Sequence, residues 1–296
     1  MLQAALETLS ADFISRAEHL RRRHGVQHVR KLRRTTRFLR FILDTWSTQV
    51  DAPEARLLAD QLVPLGKRLA HARDAATVER VARLLTKETA HGKKRKLQKT
   101  GSDLTQILKG RRQALAWPVL DEVDKLLRSG ISADLHAMVA PPISAEDSPR
   151  TTDPASEYLD REVHRMLSEV LQFQHSLSEP ADVEGRHTMR KLARAPLVLI
   201  SYAPPELQSS LDTLGHAIRL LRRLLGEVHD VEDAQSFLPA FCQAEADQLG
   251  ETRTARFITY TESTLATWHD EYLGALVTAE PETVAVCRHW VDAHSF

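Results

Sequence analysis

Apolar residues recur at helical spacing along almost the whole chain, and no stretch alternates as a half-buried strand would. The pattern predicts helices near residues 2–23, 26–50, 53–88 and 102–128. It predicts a second set near 156–178, 184–202, 206–248 and 252–278, with a short one after it. Between the sets, Gly130 to Ser156 holds Ala140-Pro-Pro142, Ser148-Pro149 and Asp153-Pro154. Proline removes a backbone donor and fixes φ, so this stretch reads as a connector. It divides the chain into 1–128, a connector at 129–156, and 157–296. Asp51-Ala-Pro53 and Ala203-Pro-Pro205 punctuate equivalent places in the two parts. The expected fold class is all-α, with two antiparallel four-helix bundles related by a pseudo-twofold axis in one compact unit.

The most unusual polar face lies on the second helix. At about 100° per residue, Arg30, Arg33, Arg34, Arg37 and Arg40 share one sector roughly 120° wide. Leu32, Phe38, Leu39, Ile42 and Leu43 fall on the other side. No acid occurs from Val26 to Leu43. A solvated helix face normally mixes signs, because like charges at i,i+4 repel by a few tenths of a kcal/mol. A phosphate-rich ligand would relieve that repulsion, since a guanidinium bonds phosphate oxygens in bidentate fashion. Covering by acids from the second half is the alternative.

The same pattern returns. Val29-Arg-Lys-Leu-Arg-Arg34 is echoed by Met189-Arg-Lys-Leu-Ala-Arg194. Leu65-Gly-Lys-Arg-Leu-Ala-His-Ala-Arg-Asp74 is answered by Leu221-Arg-Arg-Leu-Leu-Gly-Glu-Val-His-Asp230. Two ordered blocks at nearly one offset indicate a duplicated helical unit whose shared features are cationic. The second copy is thinner. His187, Arg190 and Arg194 share a face, but Leu197 stands where Arg37 would be, and Pro196 is expected to kink or end that helix. Further cations follow at Lys67 and His71, and at Arg219, Arg222 and Arg223.

Charge sharpens the contrast between the parts. The 296 residues carry 40 Lys+Arg and 40 Asp+Glu. Residues 1–128 hold 27 basic and 14 acidic residues, a net of +13, which leaves 13 and 26, a net of −13, for the remainder. One part is therefore suited to a polyanion, while mutual attraction of the two parts is the plainer reading. Two cysteines are too few for a disulfide framework and fit a reducing compartment. The first residues show no signal-peptide pattern, and no apolar run is long enough to span a membrane. A cytoplasmic protein with no membrane contact is expected.

The residues His187-Thr-Met-Arg190-Lys191-Leu-Ala-Arg194 and Leu225-Gly226-Glu-Val-His229-Asp230-Val231 resemble the CHAD domain, the conserved-histidine α-helical domain. In the first half Arg30, Arg34 and Arg37 fall in register, and Ala72-Arg73-Asp74 matches the family's Arg-Asp pair. The resemblance covers nearly the whole chain. It implies two four-helix bundles, a basic central groove or pore, and binding of inorganic polyphosphate, with placement at polyphosphate granules. It implies no catalysis, metal or cofactor. The site residues it implies, together with the basic faces, are His28, Arg30, Lys31, Arg33, Arg34, Arg37, Arg40, Lys67, His71, Arg73, His187, Arg190, Lys191, Arg194, Arg219, Arg222, Arg223 and His229. Departures are visible. Gln27 occupies the strict position of the first histidine, with His28 beside it, and Thr35 and Thr36 replace an Arg and a Leu. The Glu-x-Glu-x-Lys mark of the triphosphatase-like domain found in many relatives does not occur, so a stand-alone module is expected.

Two other readings compete. His229-Asp230 and His269-Asp270 are HD dipeptides of the kind used by helical metal-dependent phosphohydrolases. Against that, the repeat sets His229 opposite Arg73, and a metal ligand should not exchange with a guanidinium. Asp74 and Asp230 are read as orienting their basic neighbours. General nucleic-acid or polyanion binding is the second alternative, encouraged by the basic run from His91 to Lys99, which is expected to form an interhelical loop. Single-strand binders add stacking aromatics to such a track. The basic clusters show almost none, because Phe38 is on the apolar face and Phe41 at its edge.

Overall fold

The computed structural model describes residues 1–23, 26–49, 51–89, 95–139 and 155–294. Among them the chain is helical, with no strand. The helices are α1 (Leu2–Arg23), α2 (Val26–Gln49), α3 (Pro53–Gln61), α4 (Val63–Thr89), α5 (Arg95–Ala114), α6 (Ala116–Arg128), α7 (Ile131–Val139), α8 (Ala155–Leu171), α9 (Val183–Leu192), α10 (Ala195–Ser201), α11 (Pro205–Ala244), α12 (Ala246–Leu249) and α13 (Glu251–Ala293). The all-α expectation holds, and the punctuation at Pro53 and Pro205 starts helices where the sequence places it.

Several boundaries differ from expectation: the helices expected at 53–88 and 102–128 are each split in two, at Leu62 and Leu115, and three further differences bear on the fold. Residues 131–139 are helical, where the sequence predicts connector. Gly130 has φ +88°, the left-handed conformation that closes α6, and buried Ile131 and Leu135 then begin a new helix one turn apart. The prolines of the connector, at 141–154, lie outside the described residues. The basic run is partly outside them too, but Arg95–Ala114 is helix, so residues 95–99 are not the loop that was expected. Finally, α13 runs through Pro281 to Ala293 as one helix. A proline there removes one helical hydrogen bond, and burial of Thr283, Val284 and Cys287 beyond it offsets the loss.

The chain forms two compact units that do not coincide with the 1–128 and 157–296 parts. Unit 1 is Met1–Ala76, Arg112–Tyr158 and Tyr202–Pro204. Unit 2 is Thr77–Arg111, Leu159–Ser201 and Pro205–Phe296. The physical reason is helix length. The 27 residues of α4 extend about 40 Å at 1.5 Å per residue, longer than one small bundle needs. Its second half, with α5, therefore packs elsewhere. In unit 1, α1 packs on α2, α6 and α7, and α2 on α3. Its core includes Leu6, Leu9, Phe13, Leu32, Leu39 and Ile42, all essentially inaccessible to water. In unit 2, Val81 and Leu85 of α4 and Leu104 and Leu108 of α5 join Leu238, Phe241, Phe257 and Leu265 of α11 and α13 in one core. Cys242 and Cys287 are buried in unit 2, and burial pushes both thiols up to about 12, so neither offers a thiolate at neutral pH.

Candidate functional site

The amphipathic split read from the sequence of α2 is present in unit 1. Val29, Leu32, Phe38, Leu39, Ile42 and Leu43 are buried, as are Thr35 and Thr36. Arg30, Lys31 and Arg34 are exposed, while Arg33, Arg37 and Arg40 are half-buried. Among the described residues no carboxylate forms an ion pair with Arg30, Lys31 or Arg34. The Arg34 guanidinium instead sits 5.2 Å above the Phe38 ring, a cation–π contact that holds it at the face.

The cations of α4 stand next to those of α2. Burial, and then the neighbouring Arg73, lower the pKa of Arg33 below the usual guanidinium range, with Asp74 opposing. Arg73 bonds Asp74 at 3.1 Å. Arg40 reaches across to Gly66, where an added Cβ would lie 3.6 Å from its Nη1. Its Nε–H is buried and, among the described residues, donates to no protein acceptor. Lys67 and His71 are exposed one turn apart on α4. Arg33 and Arg73 are thus neighbours across α2 and α4, and Arg40 lies over the Gly66 surface of α4. His28 is not with them. Its ring packs at 4.4 Å against His19 of α1, because on a helix it projects about 160° from Arg30.

In unit 2 the second copy of the basic motif is built on α9. Asp182 caps that helix, accepting from the Gly185 backbone N–H at 2.9 Å and from the Ser176 hydroxyl at 2.5 Å. A Cβ on Gly185 would stand 2.1 Å from both side chains, so only glycine fits this turn. These two bonds, the Ser176 one first, hold the Asp182 carboxyl below its usual range. The cap fixes the direction in which His187, Arg190 and Lys191 leave α9. His187 packs against His229 of α11, with ring centroids 4.6 Å apart. Arg190 lies over Gly226, where a Cβ would be 3.9 Å from its Nε. The Leu-Gly motif therefore supplies the bare helix surface on which this arginine lies. Burial, and then Lys191, lower the His187 pKa below 6.5, with Arg190 and Arg194 adding to the effect and Glu184 opposing it.

Pro196 acts as expected. α9 ends at Leu192, and Arg194 lies in the turn before α10 rather than on a continued helical face. Arg219 is also apart from the histidine pair. It borders a cavity that includes Asp212, His216 and Glu282. Arg223 is exposed and 3.6 Å from Glu227. Arg222 is half-buried on the same helix.

The two dipeptide partners diverge. His229 lies 3.4 Å from Asp233 and against His187, whereas Asp230 accepts from Arg80 of α4 at 2.7 Å. Asp74 and Asp230 each receive a guanidinium, but Asp230 draws on a distant helix rather than its neighbour. Among the described residues no three His, Cys, Asp or Glu side chains converge as a metal would require.

One central residue escaped the sequence reading. Arg186 is 2% exposed and bonds Glu232 at 2.7 Å. It also donates to the backbone carbonyls of Glu179 at 2.7 Å, Pro180 at 3.0 Å and Ser176 at 3.4 Å. His269 stands 3.4 Å from the same Glu232 oxygen. Arg186 looks like one more member of a basic run in the sequence. Its partners come from 46 positions away and from a turn without periodicity, so no sequence signal marks it as buried.

Comparison with known proteins bears on this arrangement. The CHAD domain family matches residues 4–283. No curated protein matches the chain. The structure is similar to PptA from Streptomyces chartreusis, with a TM-score of 0.54, 17% identity, and coverage of 99% of this chain and 97% of that one. At that identity the likeness concerns the fold. Among the described residues no helix is long and apolar enough to cross a membrane.

Proposed function

This chain belongs to the CHAD family, and we propose that it binds inorganic polyphosphate, without turning it over, through the cation rows of α2 and α4 and of α9 and α11. The observation that carries this reading is the acid-free arginine row of α2. Arg30, Arg34 and Arg37 span roughly 10 Å at 1.5 Å per residue, which suits several consecutive phosphates of a linear chain. Phosphate oxygens would bond the guanidinium donors and relieve their mutual repulsion. Half-buried Arg33 and Arg40 sit where water screens them less, so a bound anion gains more from them than from a fully solvated lysine. The bound state would place the protein at polyphosphate granules.

A salt and competition experiment tests the reading. Affinity for long-chain polyphosphate should fall steeply between two salt concentrations, because each neutralised phosphate releases condensed counterions, with a slope of about −0.9 per phosphate in the case of DNA. Polyphosphate carries its charges closer together than DNA, so it should displace DNA of equal total charge while DNA fails to displace it. Equal competition would instead make the protein a general nucleic-acid or polyanion binder. Phosphate release from polyphosphate that is lost in His229→Ala, together with a co-purifying metal, would favour the phosphohydrolase alternative.

The histidines add a pH dependence whose sign follows from His187. Its pKa is lowered in the folded protein by burial and by Lys191. The imidazole is therefore neutral at pH 7, and the stability it lends is present above pH 6.5 and lost as pH falls through the folded value. A polyanion beside it reverses the bias, so binding draws in a proton. Affinity should rise as pH falls below about 6.5. His187→Gln should flatten that rise, as measured by binding titrations at a series of pH values. An unchanged pH profile in His187→Gln would remove the residue from the site.

A further inference from the structure

Unit 2 contains a cavity of about 540 Å³ that the cation rows do not account for. It lies between α11 and α13, which pack along one another. Four charged or titratable side chains border it: Asp212, His216 and Arg219 of α11 and Glu282 of α13, all exposed. Ala217, Leu220 and Val286 supply an apolar wall. At about 100° per residue, Asp212, His216 and Arg219 fall within one sector roughly 60° wide, so a single face of α11 turns all three to the same space. An apolar wall with a few polar groups converging on it is the usual makeup of a small-molecule site, and the size is in the usual range.

The charges are of both signs and do not pair with each other. Among the described residues none of Asp212, Arg219 and Glu282 forms an ion pair. Yet the cation and one carboxylate stand close together. The Arg219 guanidinium folds back along α11 to the level of Gly215, where an added Cβ would lie 3.2 Å from Nη1 and 3.4 Å from Nη2. Asp212 is three residues before Gly215, about 4.5 Å along the helix axis at 1.5 Å per residue. The two groups are thus less than one turn apart and do not touch, and Glu282 faces them from α13.

These features narrow the ligand. Asp212 and Glu282 repel a polyanion, and Arg219 repels a lone cation. Among the described residues Asp212, His216 and Glu282 do not converge as a metal would require. A purely apolar molecule would desolvate the charges without pairing them. A zwitterion pairs both signs at once. An α-amino acid carries ammonium and carboxylate on one carbon, close enough to bond Asp212 with one and the Arg219 fork with the other.

We propose that this cavity takes a small zwitterion, an α-amino acid with an aliphatic side chain. Its carboxylate bonds Arg219, its ammonium bonds Asp212 and Glu282, and its side chain lies on Leu220 and Val286. The inference does not rest on the polyphosphate reading, because the site is framed by two carboxylates and Arg219 stands apart from the His187–His229 pair.

Titrations followed by ligand NMR at neutral pH test this with L-leucine and three analogues. 4-Methylpentanoate is leucine without its ammonium, 3-methylbutylamine is leucine without its carboxylate, and glycine lacks the side chain. Wild-type protein should bind leucine about tenfold more tightly than any of the three, the effect of one charge-assisted hydrogen bond or one aliphatic side chain. Arg219→Gln should lower leucine to the level of 3-methylbutylamine without weakening the amine. Asp212→Asn combined with Glu282→Gln should lower leucine to the level of 4-methylpentanoate without weakening that acid. Because these side chains are exposed, the variants should melt with the wild type. Wild-type protein that fails to bind leucine at millimolar concentration overturns the proposal. Equal affinity for leucine and either single-charge analogue does so too, as does an Arg219→Gln protein that keeps full leucine affinity. Glycine binding as tightly as leucine overturns the assignment of the side chain to Leu220 and Val286. Long-chain polyphosphate, titrated in parallel, separates the two readings: its failure to bind while the leucine preference persists would sink the polyphosphate reading and leave this one standing.

Discussion

Replacing Arg30, Arg34 and Arg37 together by alanine lowers affinity for long-chain polyphosphate by roughly a hundred- to a thousandfold. A hydrogen bond to a charged group contributes about 1.5 kcal/mol at the low end, so three would total about 4.5 kcal/mol if additive, and non-additivity within one row brings the loss to about 3–4 kcal/mol. The three side chains share one face of α2, and no acid occurs from Val26 to Leu43. Stability should hold or rise, because the substitutions remove like charges at i,i+4 and i,i+3 and alanine is the better helix former. The apolar side of α2 that packs into unit 1 is untouched. Binding titrations together with chemical denaturation check both parts. A triple variant that binds like the parent would remove α2 from the site, and one that unfolds would show these arginines to be structural.

The largest effect on stability is expected at Arg186→Ala. The guanidinium is buried, with Glu232 at 2.7 Å and three backbone carbonyls around it. Removing it leaves a largely desolvated carboxylate and unsatisfied carbonyls. Deleting one partner of a buried pair costs about 3–5 kcal/mol. For a domain of this size each kcal/mol shifts Tm by about 2–4 °C, so a drop near 10 °C is expected in a thermal melt. Glu232→Gln should cost less, since the amide oxygen can still accept and His269 loses only a partner at 3.4 Å. An Arg186→Ala protein within 1 kcal/mol of wild type would contradict the buried-pair account. The same variant separates support from contact: Arg186 touches no ligand-facing surface, so any folded fraction should still bind polyphosphate through α2.

The contrast between these two sites marks what sequence could carry. The α2 arginines were legible because helical periodicity and local charge both depend on neighbours within two turns. The same locality explains why Pro196 correctly ends α9 and why Pro53 and Pro205 correctly start α3 and α11. The repeated motif identified the family for the same reason, since it is an ordered string of residues.

Tertiary structure decided the rest. Sequence placed α4 and α5 wholly in the first half, but their apolar residues Val81, Leu85, Leu104 and Leu108 belong to the core of unit 2. Apolar spacing says which face of a helix is buried and not against which partner. His28 looked like a member of the basic row and instead packs on His19, because one step round a helix is enough to face another neighbour. Arg186 read as a surface cation and is a buried strut, since Glu232 and the carbonyls that hold it arrive from segments far along the chain. Nothing in the sequence singles out Trp117, which folding sets, exposed, beside Val29 and Ala72. Sequence alone determined the all-α class, the charged faces and the family. Which side chains meet depended on packing between distant segments, which leaves no period in the chain to read.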